Sequence, residues 1–406
     1  TPLLPVQKAD GTFSLLGDDL YVTIEDGNLG QLNISEGTVS VTEIFTSNSG
    51  KVQINSKLNG PLAGVIEYLQ AETLINRINY EFQPDLIKGK SDFTLNVEFP
   101  TSEEIPFEVI DYALKGEIRD GFWPDALEEF PLSGGPFEIE VTSREINLSG
   151  SGQLGGIDTD LKWHEYFDAD TTQRPYQTLI DARLETTPEF RNELGIDLTP
   201  LLSGPISTDL TYKAFTDNTS RADIKASIDN ADLLVSPLDY KKLKGEKGAM
   251  TFSAVFRDGM LRSVENLSVQ TESLKLKNGR LGFVPKNEEP ALSNGALENL
   301  TVEENDISSL VFEITPEGTL KAKLIGKLLD IRQFIHTPDI TPENQKTDEN
   351  MNNVPVPVSP FSEDTMFDYP LILSLDFARF RTSKNRLIEE AKVYIEMDQS
   401  QEILQL

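Results

Sequence analysis

The feature that most constrains this chain is a period-2 alternation of apolar and polar residues, repeated along most of its length. Residues 91–99 read Ser-Asp-Phe-Thr-Leu-Asn-Val-Glu-Phe, placing Phe93, Leu95, Val97 and Phe99 on one face and Thr94, Asn96 and Glu98 on the other. Ile224 and Ile228 alternate within 222–228, Phe252, Ala254 and Phe256 within 251–256, and Phe312 and Ile314 within 310–314. Successive side chains of a strand point to opposite faces, so this pattern predicts strands with one apolar and one polar face, in an antiparallel sheet covered on one side. Asp26-Gly27-Asn28, Asn48-Ser49-Gly50, Asp258-Gly259 and Asn278-Gly279 accept positive φ and predict hairpin turns.

Helical patterning is scarce. Leu62, Val65, Ile66 and Leu69 fall at helical spacing within 61–75, and Thr187-Pro188 is an N-cap followed by Pro at the first helical position. Thr199-Pro200 repeats that device over a shorter run, and 327–334 is expected to add a third capping element. Residues 336–368 are polar and proline-rich and read as a loop or linker, after which alternation resumes at 369–375. The fold class expected is mainly β: an elongated, curled antiparallel sheet of repeating β-groove type, open along one side, with a few short helices. Its segments are a leading β stretch (1–57), a central β-groove region (58–335), the linker (336–368) and a continuing β stretch (369–406). A sandwich is the compact alternative, though it would need more strands than the usual sheet of ~2–10. Simple geometry sets the dimensions: strands of 6–8 residues span roughly 20–26 Å, and ~20 of them at ~4.8 Å spacing give a groove of ~100 Å.

Composition removes most chemistries. With 36 Lys+Arg against 67 Asp+Glu the net charge is −31, which disfavours nucleic acid and anionic membrane surfaces as partners. There is no Cys and there are two His, so thiolate sites, disulfides and His-rich metal centres have no material. Trp163-His164-Glu165 is the one local cluster with the ingredients of acid–base chemistry, but no G-x-S-x-G motif accompanies it. Paired acids such as Glu103-Glu104 and Glu288-Glu289 read as a solvated face. Gly150-Ser-Gly-Gln-Leu-Gly-Gly156 lacks the Lys of a phosphate loop and reads as a bulge or turn in a sheet. Lys241, Lys242 and Lys244 are expected to contact another part of the same chain. No enzyme activity, cofactor or metal is expected. The chain opens at Thr1-Pro2 and stops within an alternating run, and is expected to be a section of a longer protein.

An ordered series of short motifs runs from Gly60 to Phe283. It contains Gly60-Pro-Leu-Ala-Gly-Val-Ile-Glu-Tyr-Leu69, residues 89–100, Leu148-Ser-Gly-Ser-Gly-Gln-Leu-Gly-Gly156 and Leu161-Lys-Trp-His-Glu-Tyr-Phe167. Leu194 to Pro205 and Leu233 to Lys242 complete it. This series resembles the central domain of the AsmA-like family, of the YhdP and TamB type. The resemblance implies a periplasmic envelope protein of diderm bacteria, anchored in the inner membrane by a segment outside this chain. It also implies a β-groove that conducts phospholipid between the inner and outer membranes, with inner- and outer-membrane proteins as further partners. Acyl chains would lie on apolar side chains, for which Phe93, Leu95, Val97, Ile224, Ile228, Phe252, Phe256, Phe312 and Ile314 are the candidates. The same residues would equally serve a dry sheet-on-sheet core. A scaffold for outer-membrane assembly that binds proteins through strand edges is the alternative function, and an acidic hydrolase is the third.

Overall fold

The computed structural model describes the chain apart from residues 1–4, 46–49, 72–82, 103–108, 128–129, 169–174, 194–195, 197, 200, 236–237, 239, 288, 333–369, 384–385, 399–402 and 406. It is mainly β, with two short α-helices among the described residues. Two compact units divide it: Thr1–Thr186 with Ser207–Ala222, and Thr187–Ile206 with Asp223–Leu406.

The first unit contains a meander. Strands β1 (Val6–Leu16), β2 (Asp19–Leu29), β3 (Leu32–Val41), β4 (Lys51–Pro61), β5 (Lys88–Pro100), β6 (Asp111–Leu127), β7 (Phe130–Thr142), β8 (Glu145–Leu154), β9 (Ile157–Tyr166) and β10 (Tyr176–Thr186) each pair antiparallel with the next. The expected segment boundary at 57/58 falls inside β4. Helix α1 (Leu62–Ala71) follows β4 where helical spacing places it, and packs Val65 and Tyr68 into the buried cluster of this unit.

Helix α2 (Pro188–Glu193) starts as its sequence predicts, with the Phe190 amide donating to Thr187 Oγ1 at 3.2 Å. The shorter copy at Thr199 does not continue as a helix: Leu202–Ser203 is β11, an edge of a three-stranded sheet with β14 (Asp232–Val235) and β15 (Tyr240–Lys242). Burial decides this outcome, since Leu202 packs at 3% exposure against the second unit's core. Strands β12 (Ile206–Phe215) and β13 (Thr219–Ser227) lie between β11 and β14 in sequence.

The second unit then runs antiparallel through β16 (Gly248–Arg257), β17 (Met260–Thr271), β18 (Leu274–Lys286), β19 (Glu289–Val302), β20 (Asn305–Ile314) and β21 (Leu320–Asp330). Residues 327–330, expected in a capping element, are instead the end of β21, where Leu329 lies opposite Phe380. Strand β22 (Leu371–Ser383) pairs parallel with β21, then antiparallel with β23 (Arg386–Met397), which pairs with β24 (Ile403–Gln405). A parallel neighbour requires a connection that returns the chain to the strand's starting end. The expected linker at 336–368 lies outside the described residues.

Two of the expected turns are not turns. Asp26-Gly27-Asn28 lies inside β2 and Asn278-Gly279 inside β18, whereas Asp258-Gly259 does join β16 to β17. For Asn278-Gly279 the reason is that a bulge, like a hairpin, uses positive φ; no residue of 26–28 adopts it. Asn266, Asn278 and Asn299 have φ of 54°, 59° and 54° and fall in β17, β18 and β19. The pairing register shifts beside all three. Each bulge moves the apolar set by one residue: in β18 Leu274 and Leu276 give way to Gly279 and Leu281, and in β19 Leu297 gives way to Leu300 and Val302.

A second device recurs in both units. Phe93 lies directly opposite Gly116, Phe137 opposite Gly150, Phe312 opposite Gly295 and Phe377 opposite Gly326. In each pair a Cβ on the glycine would collide with the ring of its partner. The glycine is therefore required by close approach: it lets an aromatic ring lie flat over the neighbouring strand and cover its backbone. At Gly295 the nearest atoms are all side-chain atoms, from Phe312 and Leu281. Gly295→Ala is expected to lower stability by about 1–3 kcal/mol through overpacking. Combined with Phe312→Leu it should cost less than the sum of the single changes, read by urea unfolding in a double-mutant cycle.

Candidate functional site

The alternating residues assemble into rows that cross the strands. In the first unit Ile34, Leu58, Phe93, Gly116, Ile139, Leu148, Trp163 and Ile180 are successive partners from β3 to β10. The adjacent row on the same face is Ser56, Leu95, Leu114, Val141, Ile146, Glu165 and Thr178. Phe93, Leu95 and Val97 are 4%, 7% and 8% exposed and belong to one buried cluster, so they are packed against protein and present almost no free surface. Towards β9 and β10 the face loosens: Leu161, Trp163 and Ile180 are only half-buried. The opposite face is polar, tied by Lys57–Glu36 at 2.7 Å, Lys115–Glu140 at 3.7 Å, and by Arg119–Asp92 and Lys51–Glu98.

The pleat separates the Trp163-His164-Glu165 cluster. His164 is on the polar face, where Nε2 is 3.0 Å from Glu145 Oε2, Nδ1 is 3.2 Å from the Tyr166 hydroxyl, and the ring stacks on Tyr166. Glu165 is on the apolar face, 8% exposed, accepting a 3.3 Å hydrogen bond from Trp163 Nε1. A base at 164 and an orienting acid at 165 therefore cannot address the same atom. Burial pushes the Glu165 carboxyl above the ordinary value of 4.5, opposed by hydrogen bonds from Thr178 and Trp163. The sequence signal for this residue was an acid standing at an apolar position of the run Leu161, Trp163, Glu165.

In the second unit the inner face changes along the strands. At one end Leu274, Leu276, Leu300, Val302, Ile307 and Phe377 form a closed core. Away from it the row Gly295, Phe312, Ala322, Leu373 and Ile395 crosses β19 to β23, beside Leu297, Leu310, Leu324, Leu375 and Val393. Of these ten only Gly295 is buried; the rest are half-buried. Leu292, opposite Phe283, is 38% exposed. No helix lies on this face among the described residues. Ile228 is 1% exposed within the closed core and Ile224 packs at its margin. Phe252 and Phe256 share the face of Met250 and Ala254 by strand parity and are half-buried, as are Phe312 and Ile314. The structure thus separates the nine candidates into four that are packed away and five with accessible apolar area.

The basic run at 241–244 does contact its own chain, through one buried member. Lys242 is 1% exposed, and its Nζ donates to the carbonyls of Ile228, Ala231 and Leu243 at 2.7, 3.0 and 3.2 Å. These bonds fasten the turn after β13 to the three-stranded sheet. Among the described residues no cluster of His and acids could hold a metal ion, and no helix is long and apolar enough to cross a membrane. No family model, curated protein or solved structure matches the chain.

Glu165 gives a pH prediction. Its raised value means that the folded state holds the proton more tightly than the unfolded state, so its contribution is full below about 4.5 and is lost as pH rises through the raised value. The stability of the wild type relative to Glu165→Gln should therefore fall between pH 4 and pH 7.5, roughly the window over which such a carboxyl ionises. Urea midpoints at the two pH values check this, and a constant difference would contradict it.

Proposed function

We propose that this chain is a non-enzymatic lipid-binding segment that holds phospholipid acyl chains on the half-buried inner face of its second unit. The observation that carries this reading is the graded face of β18–β23. Between the closed core and the buried Leu371–Met397 pair at the far end of β22 and β23, the same strands present Leu281, Phe312, Leu373 and Ile395 half-buried. Contiguous apolar area of this kind on a chain of net charge −31 calls for an apolar partner. Burying ~10 methylenes of an acyl chain contributes about 8 kcal/mol before the cost of association. Headgroups would remain in water at the open side of the face.

The motif series from Gly60 to Phe283 extends the proposal to an AsmA-like envelope protein of the periplasm. On that reading the chain conducts phospholipid between the inner and outer membranes and is held to the inner membrane by a segment outside it. Partner proteins in either membrane belong to the same proposal.

A second reading, a scaffold that captures proteins by strand addition, is favoured by β1. Every residue of that strand is exposed, Phe13 to 79% and Leu16 to 67%, and among the described strands β1 pairs only with β2. Such an edge is a template for another strand.

Native mass spectrometry after mild purification, with uptake of fluorescent phospholipid, separates the two. Phe312→Asp with Leu373→Asp should abolish loading with the β signal in circular dichroism retained, whereas Val311→Asp, on the opposite face, should leave loading intact. Absence of bound or acquired phospholipid in the wild type would remove the lipid reading and leave the strand-edge one.

A further inference from the structure

The polar face of the same strands carries a concavity that the inner-face reading does not use. A cavity of about 520 Å³ is lined from β18 to β22, with Arg280, Lys321, Lys323 and Glu313 as its charged side chains and Val311 and Ile372 among its apolar ones. Register explains the grouping: Arg280, Ala296, Val311 and Lys323 are successive cross-strand partners, on the face opposite Phe312. Val311 is 50% exposed, an apolar floor left open to solvent.

Charge makes the place unusual. Acids outnumber bases nearly two to one in the whole chain, 67 to 36, yet three cations line this cavity against one carboxylate. Lys321 holds Glu313 at 3.5 Å. Arg280 and Lys323 have no ion pair among the described residues, so the cavity keeps an unbalanced positive charge. The chain's distant acids do not cancel it, because at physiological ionic strength charges beyond about 8 Å are largely screened.

We propose that this cavity binds an anionic amphiphile, its phosphate held by Arg280 and Lys323 and the start of its alkyl chain lying on Val311 and Ile372. Guanidinium and ammonium groups supply charge-assisted donors for phosphate oxygens, and the apolar floor favours an alkylated phosphate over an inorganic one. The charged and apolar side chains named here stand on the outer face by strand parity, with Gly295, Phe312 and Ala322 of the inner row also contributing to the lining, and phosphate binding by Arg280 and Lys323 does not require acyl chains on the inner face.

The test is a calorimetric or NMR titration with octyl phosphate, carried out on the Leu373→Asp background, a residue outside the cavity lining, so that the inner face cannot accept the alkyl chain. Octyl phosphate should saturate one site, bind more tightly than inorganic phosphate, and outcompete neutral octyl glucoside. Arg280→Gln and Lys323→Gln should each weaken it by about threefold to fivefold, the size of one exposed charged contact. All three side chains changed or flanking the cavity at 280, 321 and 323 are exposed, so these variants keep the fold. Octyl phosphate binding that survives the double variant, or equal binding of octyl glucoside, would overturn the proposal. Sedimentation with vesicles containing phosphatidic acid identifies the source: loss of co-sedimentation in the double variant assigns a bilayer headgroup, and soluble binding without co-sedimentation assigns a free amphiphile. Either upholds the site.

Discussion

A sheet with one apolar face must hide that face, and the described residues offer only two short α-helices with which to do so. Everything else in the described structure follows from that shortage. In the first unit Phe93, Leu95 and Val97 are buried although α1 is the only helix contributing to their cluster among the described residues. Side chains of neighbouring strands on that face pack against one another. Two local devices recur in the strands. Bulges with asparagine at positive φ kink β17, β18 and β19, increasing local twist. Phenylalanines laid over opposing glycines spare the space a second side chain would take. The cost is conformational freedom lost at each glycine on folding, offset by burial of a ring.

Period-2 alternation made the strands and their inward residues legible: all nine candidate residues lie on apolar faces. What alternation could not report is how deeply each is buried, because Phe93 and Phe312 stand in identical local patterns and differ only in what packs above them. The Asp-Gly and Asn-Gly steps were ambiguous for a related reason. Asn278-Gly279 and Asp258-Gly259 both satisfy the backbone demand of positive φ, and only pairing partners on both sides distinguish a bulge from a hairpin. Sequence patterning likewise treated Leu202 as part of a helical device, because the strand partner Leu233 is distant in the chain.

Charged residues were read least well. Lys242 stood in a run of lysines and is the one that is fully buried, held by three carbonyls rather than by acids. Glu165 stood beside a histidine and belongs to the opposite face. The expected contact of the basic run with its own chain is made by Lys242 alone, and neither its burial nor the face of Glu165 could be read from sequence neighbours, since adjacent residues of a strand share no environment. Arg280 and Lys323 show the converse: 43 positions apart in number, they are brought to one cavity by three steps of strand pairing.

The parallel pairing of β21 with β22 bears on how such a chain acquires its fold. From β16 to β21 each strand finds its partner through a short connection, so pairing can propagate one hairpin at a time. β22 instead pairs parallel with β21, so no hairpin contact brings these two strands together and their meeting is a non-local event. Non-local pairing of this kind is expected to follow the local hairpins, so that β22–β24 docks on an edge already in place. Until it docks, β21 presents an unpaired edge with Leu320, Leu324 and Leu329 along it, which makes this step the one at which a nascent chain is most exposed to mispairing.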